Sequence, residues 1–199
     1  MLQEFQTIAE PSEGLYKEKG SKFLAFAYPA SSEEDVSTCL EALRSRYHDA
    51  RHHCYAYQFN DEHQRYRAND DGEPNHSAGD PILGQIRSRN LYNVLVVVVR
   101  YFGGTKLGVS GLIVAYKTAA AEALDRARVV TEVLRQQLTV AFGYEQTGDV
   151  HRIIHEYDGA IREQQFDTAC RLRISFRRDQ VTEIQEKLDQ LVGVKVLDA

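Results

Sequence analysis

Cysteine is scarce in this chain of 199 residues. The three present, Cys39, Cys54 and Cys170, are widely spaced and odd in number, which rules out a disulfide framework and suits a reducing compartment. Neither a C-x-x-C pair nor a His/Cys cluster at zinc spacing occurs. Long apolar runs are missing as well. The longest, Val94 to Val99, is far too short to cross a bilayer, and no basic stretch followed by an apolar run opens the chain. A cytoplasmic protein that makes no membrane contact is expected. Excess positive charge is absent, with a formal net charge of −5, so any binding of nucleic acid would need a local basic patch. Repeats, low-complexity tracts and long charge blocks are also lacking. What remains is ordinary for a globular protein, with 43% hydrophobic and 27% charged residues.

The periodicity predicts two units. In the first, strands are expected at 5–9, 15–19 and 23–28, then a helix from about Ser32 to Tyr47 capped by Ser31 or Ser32. Arg51 to Phe59 alternates as a strand, with His53, Tyr55, Tyr57 and Phe59 on one face and His52, Cys54, Ala56 and Gln58 on the other. Asn60 to Asp80 reads as a long polar loop, and a helix is predicted from Asp80-Pro81 with proline first. Val94–Val99 is apolar on both faces and should be central in its sheet. The helix that follows, about Val109 to Arg128, carries no charge between Leu107 and Tyr116, which predicts a first half buried all round. The boundary is placed in Val129 to Arg135, giving domains 1–132 and 133–199. The second unit reads β-α-β-β-α-β, the ferredoxin-like order, so the fold class is α+β.

Four constellations carry possible chemistry. The first is the turn Gly103-Gly104-Thr105-Lys106-Leu107-Gly108-Val109-Ser110-Gly111, between a buried strand and a helix. It nearly spells a phosphate-binding P-loop, but Val109 stands at the lysine position and Lys106 comes three residues early. The dinucleotide pattern fails too, because Lys106 stands where its first glycine belongs. No nucleotide or nicotinamide cofactor is expected. A weaker anion site with help from Lys106 or Arg100 survives beside the plainer reading, in which the glycines permit a tight turn and close packing.

The second constellation, Asp70-Asp71-Gly72-Glu73-Pro74 with Ser77, fails as a calcium loop, because position twelve is Pro81. It also fails as a nucleophile elbow, because residue 75 is Asn. A structured binding loop is expected there, and no metal. The third, Arg51-His52-His53-Cys54, alternates faces, so the two histidines cannot chelate one ion. The fourth is the basic face Arg171 and Arg173, a possible phosphate track that lacks aromatic partners on its own side.

Together, Arg51-His52-His53-Cys54, Asp71-Gly72-Glu73-Pro74 with Ala78-Gly79-Asp80-Pro81-Ile82-Leu83, and Val97 through Gly108 resemble the IMPACT/YigZ family in order and spacing, over about residues 15 to 128. The chain departs where the family often has Gly-Gly-Leu, carrying Ser110-Gly111-Leu112 instead. The resemblance implies an N-terminal domain like the second domain of small-subunit ribosomal protein five and a C-terminal domain like domain five of elongation factor G, in the two-domain form of bacterial members. It also implies a link to translation, because eukaryotic members regulate translation under amino-acid starvation.

The expected function is a non-enzymatic, translation-associated or stress-related regulator that binds the ribosome, RNA or a translation-related protein, without a cofactor or a catalytic residue. An enzyme acting on a phosphorylated or peptide-like small molecule is the alternative. Binding is expected through Arg51, His52, His53, Asp71, Glu73, Ser77, Arg100, Gly103, Gly104, Lys106 and Gly108, with Arg171 and Arg173 as a nucleic-acid face.

Overall fold

The computed structural model describes residues 1–167 and 169–198. The chain forms two compact units, Met1–Glu132 and Val133–Ala199. In the first, β1 (Glu4–Ile8), β2 (Ser12–Glu18) and β3 (Ser21–Pro29) precede helix α1 (Glu33–Arg46). Then come β4 (His52–Gln58), β5 (Tyr66–Asn69), α2 (Gly79–Ser88), β6 (Val94–Tyr101), α3 (Gly108–Asp125) and β7 (Val129–Val133). A five-stranded sheet runs in the order β2-β3-β6-β4-β5, and β1 pairs with β7 apart from it.

Strand β6 lies in the middle because Val94 to Val99 has no polar face to offer solvent; all six residues are buried. Their alternation feeds two cores. Val94, Val96 and Val98 pack with Cys54 and Ala56 under α2 and α3, whereas Leu95, Val97 and Val99 pack with Tyr55, Tyr57 and Phe59 under α1. Helix α1 starts at a capping box: Ser32 accepts from the Asp35 N–H, and the Asp35 carboxylate accepts from the Ser32 N–H. The β2–β3 hairpin turns on two residues, Lys19 and Gly20, both with positive φ (46° and 80°), the conformation that matches strand twist.

Several expectations need correction. Within 60–80, predicted as loop, Tyr66–Asn69 forms β5 and pairs antiparallel with β4; four polar-flanked residues carry too little periodicity to show it. Helix α2 begins at Gly79, so Pro81 is its third residue, still in the first turn where an N–H has no helical partner. The stretch predicted as a boundary contains β7. The first half of α3 is not buried all round: Val109 and Val114 are 52% and 56% exposed, and Ile113 is exposed too. Its buried face is instead Leu112, Ala115, Tyr116 and Ala119, because only one side of the helix meets the sheet.

The second unit contains β8 (Arg135–Phe142), α4 (Thr147–Glu156), β9 (Ala160–Phe166), β10 (Cys170–Arg177), α5 (Val181–Asp189) and β11 (Val194–Asp198). Its sheet order, β11-β8-β10-β9, is all antiparallel, the ferredoxin-like arrangement. Both helices cover one face, where Leu172, Ile174 and Phe176 meet Val150, Ile153, Ile154, Ile184 and Leu188. The opposite face carries Arg171 and Arg173. The whole chain is therefore α+β in two domains.

Candidate functional site

The 70–79 loop is tied to the ends of β4 and β6 and to α3 by side chains that the sequence scatters. Asp70 organises it. Its carboxylate accepts the N–H groups of His76, Ala78 and Gly79, each at 2.9 Å, and so caps the start of α2. Burial works to raise the Asp70 carboxyl, but these three donors hold it below its ordinary value. Asp71 accepts the backbone N–H of His53 at 2.7 Å, with Arg44 3.8 Å away, and its carbonyl lies 2.9 Å from His52 Nδ1. Asp71 and His76 have positive φ (40° and 64°), which short polar side chains tolerate better than branched ones.

Glu73 goes deepest. Its Oε1 accepts from Arg100 Nη1 at 2.6 Å and from the Tyr116 hydroxyl at 2.7 Å, and both charged side chains are buried. Cys54 Sγ lies 3.3 Å from the Tyr116 hydroxyl and 2.9 Å from the Asp70 carbonyl. Burial pushes the Cys54 thiol far up, against the pull of the Tyr116 hydrogen bond, so it stays protonated. Burial likewise drives the Tyr116 phenol up. Ser77 is fully buried and its hydroxyl donates to the Pro74 carbonyl at 2.6 Å. The acids, thiol and hydroxyl of this region are thus spent on holding the loop against the sheet.

His53 turns inward, beneath the end of α1, and its Nε2 is buried with no partner among the described residues. Burial pushes the imidazole below its ordinary value, opposed by the Asp71 carboxylate. The fold therefore favours neutral His53, and the unfolded chain takes up a proton first as pH falls. The stability this contributes is complete above about pH 6.5 and is lost as pH falls through the lower folded value. Thermal melts from pH 8 to pH 5 should show a decline that is shallower in His53→Asn.

The glycine turn divides into two kinds of position. A Cβ on Gly103 would fall 1.9 Å from the Gly20 carbonyl carbon and 2.1 Å from the Ser21 nitrogen, so glycine here permits backbone contact with the β2–β3 turn. The Gly103 N–H donates to Ser21 Oγ at 3.1 Å. Gly104 and Gly108 have open space around them but positive φ (87° and 74°), which lets the chain swing into α3. Lys106 is exposed on this turn.

Where the turn leaves β6, a cavity of about 400 Å3 opens between Asp49, Ala50, Arg51, His52, Arg100, Tyr101 and Phe102. The Tyr101 hydroxyl donates to Asp49 at 2.7 Å, which holds the Asp49 carboxyl down and pushes the Tyr101 phenol up to about 12. Arg100 lies almost wholly beneath the surface, its Nε without an acceptor among the described residues and its guanidinium 5.7 Å from the Phe102 ring centre. Phe102 itself is 57% exposed.

Arg51, His52, Arg100 and the start of the glycine turn therefore meet at one sheet end, and Asp71 and Glu73 reach it from the loop. Arg171 and Arg173 belong to the other unit, on its uncovered sheet face beside Thr139, Glu163 and Gln165. Arg173 there is paired with Glu163 at 2.9 Å. Phe102 was missed by sequence reasoning although it stands beside the glycine turn; an aromatic among turn-forming residues was the available signal. No group of three or more His, Cys, Asp or Glu side chains able to hold a metal occurs among the described residues. Nor, among them, is any helix long and apolar enough to cross a membrane.

Comparison with known proteins places this geometry in a lineage. The Impact N-terminal domain matches residues 19–124, which span β3 through most of α3 and so contain the whole site. The IMPACT family member YigZ of Escherichia coli is 30% identical over 85% of this chain and 84% of its own length. A Thermus thermophilus IMPACT family member is 42% identical over 67% of this chain and 72% of its own. A crystal structure described as a hypothetical protein superposes with a TM-score of 0.72 at 27% identity, covering 100% of this chain and 98% of that one. With the domain match extending over more than half of its residues, the chain belongs to the IMPACT family.

Proposed function

We propose that this protein is a translation-related regulator that docks a partner (ribosome, RNA or a translation-related protein) in the cytoplasm and carries out no covalent chemistry. One observation carries the reading: the division of labour at the sheet end. Most groups that would serve as nucleophile or general base are internally committed, His52 at the cavity being the exception, held only through Nδ1 by the Asp71 carbonyl. Cys54 and Ser77 are buried and hydrogen-bonded, Glu73 is clamped between Arg100 and Tyr116, and Asp70 accepts three backbone N–H donors. A general base must reach a substrate proton, and these groups are turned into the fold: Glu73 and Ser77 are buried and Asp70 is engaged by the backbone at the start of α2. The groups left facing outward, Arg51, Lys106 and Phe102, are of the kind that bind. Family membership adds the link to translation.

Sedimentation of cell extract through a sucrose gradient tests this. The protein should travel with ribosomal particles at low salt and be released as salt rises, because screened cationic contacts weaken. Remaining at the top of the gradient at every salt concentration would refute the reading. The size of the 400 Å3 cavity favours one second reading, an enzyme acting on a phosphorylated small molecule. A thermal-shift screen of phosphorylated metabolites separates the two, since ligand at a hundred times its Kd adds about 2.7 kcal/mol.

A further inference from the structure

Charge on this sheet end is arranged in a way that hydrogen bonding within the fold does not explain. Lys17 on β2 stands directly opposite Lys22 on β3, and Lys22 is in turn opposite Tyr101 on β6. Like charges directly across a sheet destabilise it, so an exposed Lys–Lys pair is costly unless an anion lies over it. Arg51 precedes β4 and lines the same cavity as Tyr101, which carries the row across four strands, about 14 Å at the usual strand spacing. Lys19 at the hairpin tip and Lys106 on the glycine turn flank it, because Gly20 and Gly103 touch. These five side chains are exposed, and none makes an ion pair or side-chain hydrogen bond among the described residues. The neighbouring acids are already occupied: Asp49 by Tyr101, Glu18 by Tyr16, and Asp71 by His53 N–H and Arg44.

Phe102 follows Tyr101 where the row reaches the end of β6, on the side of the strand that Arg100 takes, and it lines the same cavity as Arg51 and Tyr101. The buried Arg100 guanidinium lies 5.7 Å from its ring centre, and Phe102 is 57% exposed. An exposed aromatic face supported by a cation and flanked by a basic track is how proteins hold single strands: the bases stack and the phosphates follow the charges. A duplex has no free base face to offer. An acidic protein would satisfy the lysines but would not account for a ring held open beside a cavity of this size.

We propose that this sheet end binds unpaired single-stranded nucleic acid, with a base stacked on Phe102 and phosphates along Lys17, Lys22 and Arg51. This rests on the docking reading above and specifies its partner. Contact to phosphate and ring faces reads no sequence, so a short footprint with little base preference is expected.

Fluorescence anisotropy with labelled 12-mers of uridine (RNA) and of thymidine (DNA), and with a 12-base-pair duplex, tests it on the full chain. Both single strands should bind better than the duplex, and preference for the uridine strand would identify RNA as the source. Phe102→Ala should weaken single-strand binding on the order of 5- to 150-fold, and Phe102→Trp should retain it. Lys22→Gln should lower the magnitude of the salt slope by about 0.7. Absence of single-strand binding at low salt, equal affinity for duplex, or an unchanged Phe102→Ala would overturn the proposal. So would loss of binding in Arg171→Gln with Arg173→Gln while Phe102→Ala still binds, which would move the site to the other unit. If the protein sediments with ribosomes in a Phe102-dependent way yet binds no oligonucleotide, the partner is a protein; the nucleic-acid proposal then fails and the docking reading stands.

Discussion

Exchanging Glu73 for alanine is expected to destabilise the first unit by about 3–5 kcal/mol, the range seen when one partner of a buried ion pair is removed. The pair is sealed: Arg100 and Glu73 side chains are 8% and 4% exposed, and the same Glu73 oxygen also satisfies the Tyr116 hydroxyl. The variant strands a guanidinium and a phenol without their acceptor. Most of the loss is the cost of leaving those groups buried and unmatched, not the net value of the pair. Two comparisons make the argument specific. Glu73→Gln keeps an acceptor for Tyr116 but not the charge, and should fall between wild type and alanine. Joint replacement by Glu73→Leu and Arg100→Met removes both charges and should recover much of the loss. Urea denaturation with an unchanged m-value is the measurement. A loss below about 1 kcal/mol for the alanine variant would place the pair among solvent-screened surface contacts and refute its role.

Gly103→Ala is expected to have the second large effect, a loss of about 3 kcal/mol or more, at the upper end for overpacking. The three atoms nearest its Cβ would all be backbone, of Gly20 and Ser21, so no side-chain rotation relieves these clashes and the hairpin tip must move. Gly104→Ala is the control. It has no neighbour within 4 Å but keeps φ at +87°, so it should cost only about 1–2 kcal/mol of backbone strain. Thermal melts give the order of the two losses, and amide exchange at Lys19 to Lys22 shows whether the turn has been displaced. Equal losses would mean that the hairpin tip yields easily to the added Cβ and that the close approach is not worth more than ordinary strain, since Gly103 itself has no positive φ. The close approach also holds the Phe102–Lys106 turn beside the lysines of β2 and β3, so the same variant should weaken partner binding.

Much of the first unit was legible before any coordinates. The split of β4 into a His53–Tyr55–Tyr57 face and a His52–Cys54–Ala56 face follows from the two-residue period of an extended chain, and the two cores are divided along that line. The central position of β6 follows from its having no polar face. The capping box of α1 is local too, set by residues three apart. Less was legible in α3. Its uncharged first half promised full burial, but charge content says nothing about how many neighbours a helix will have, and only one side of it meets the sheet.

The site shows the same limit. Lys17 and Lys22 could have been paired by arithmetic, because a two-residue turn at Lys19-Gly20 forces that register. Phe102 was in plain view. The assignment of Glu73 could not have been made this way. It meets residues 27 and 43 positions along the chain, and three acids between Asp70 and Glu73 look alike until the fold sends one into the core, one to a helix cap and one to the end of β4.

Side-chain alternation, helix caps and turn chemistry act over a few residues, so most elements, the two faces of β4 and the α+β character were already written in the order of the amino acids, whereas β5, β7 and the buried side of α3 were not. Which polar groups are consumed inside and which are left facing solvent depends on contacts between segments far apart in the chain. Burial decides that outcome, because a charge removed from water must find a partner wherever the packing brings one near, and the functional reading follows from the groups that were not required.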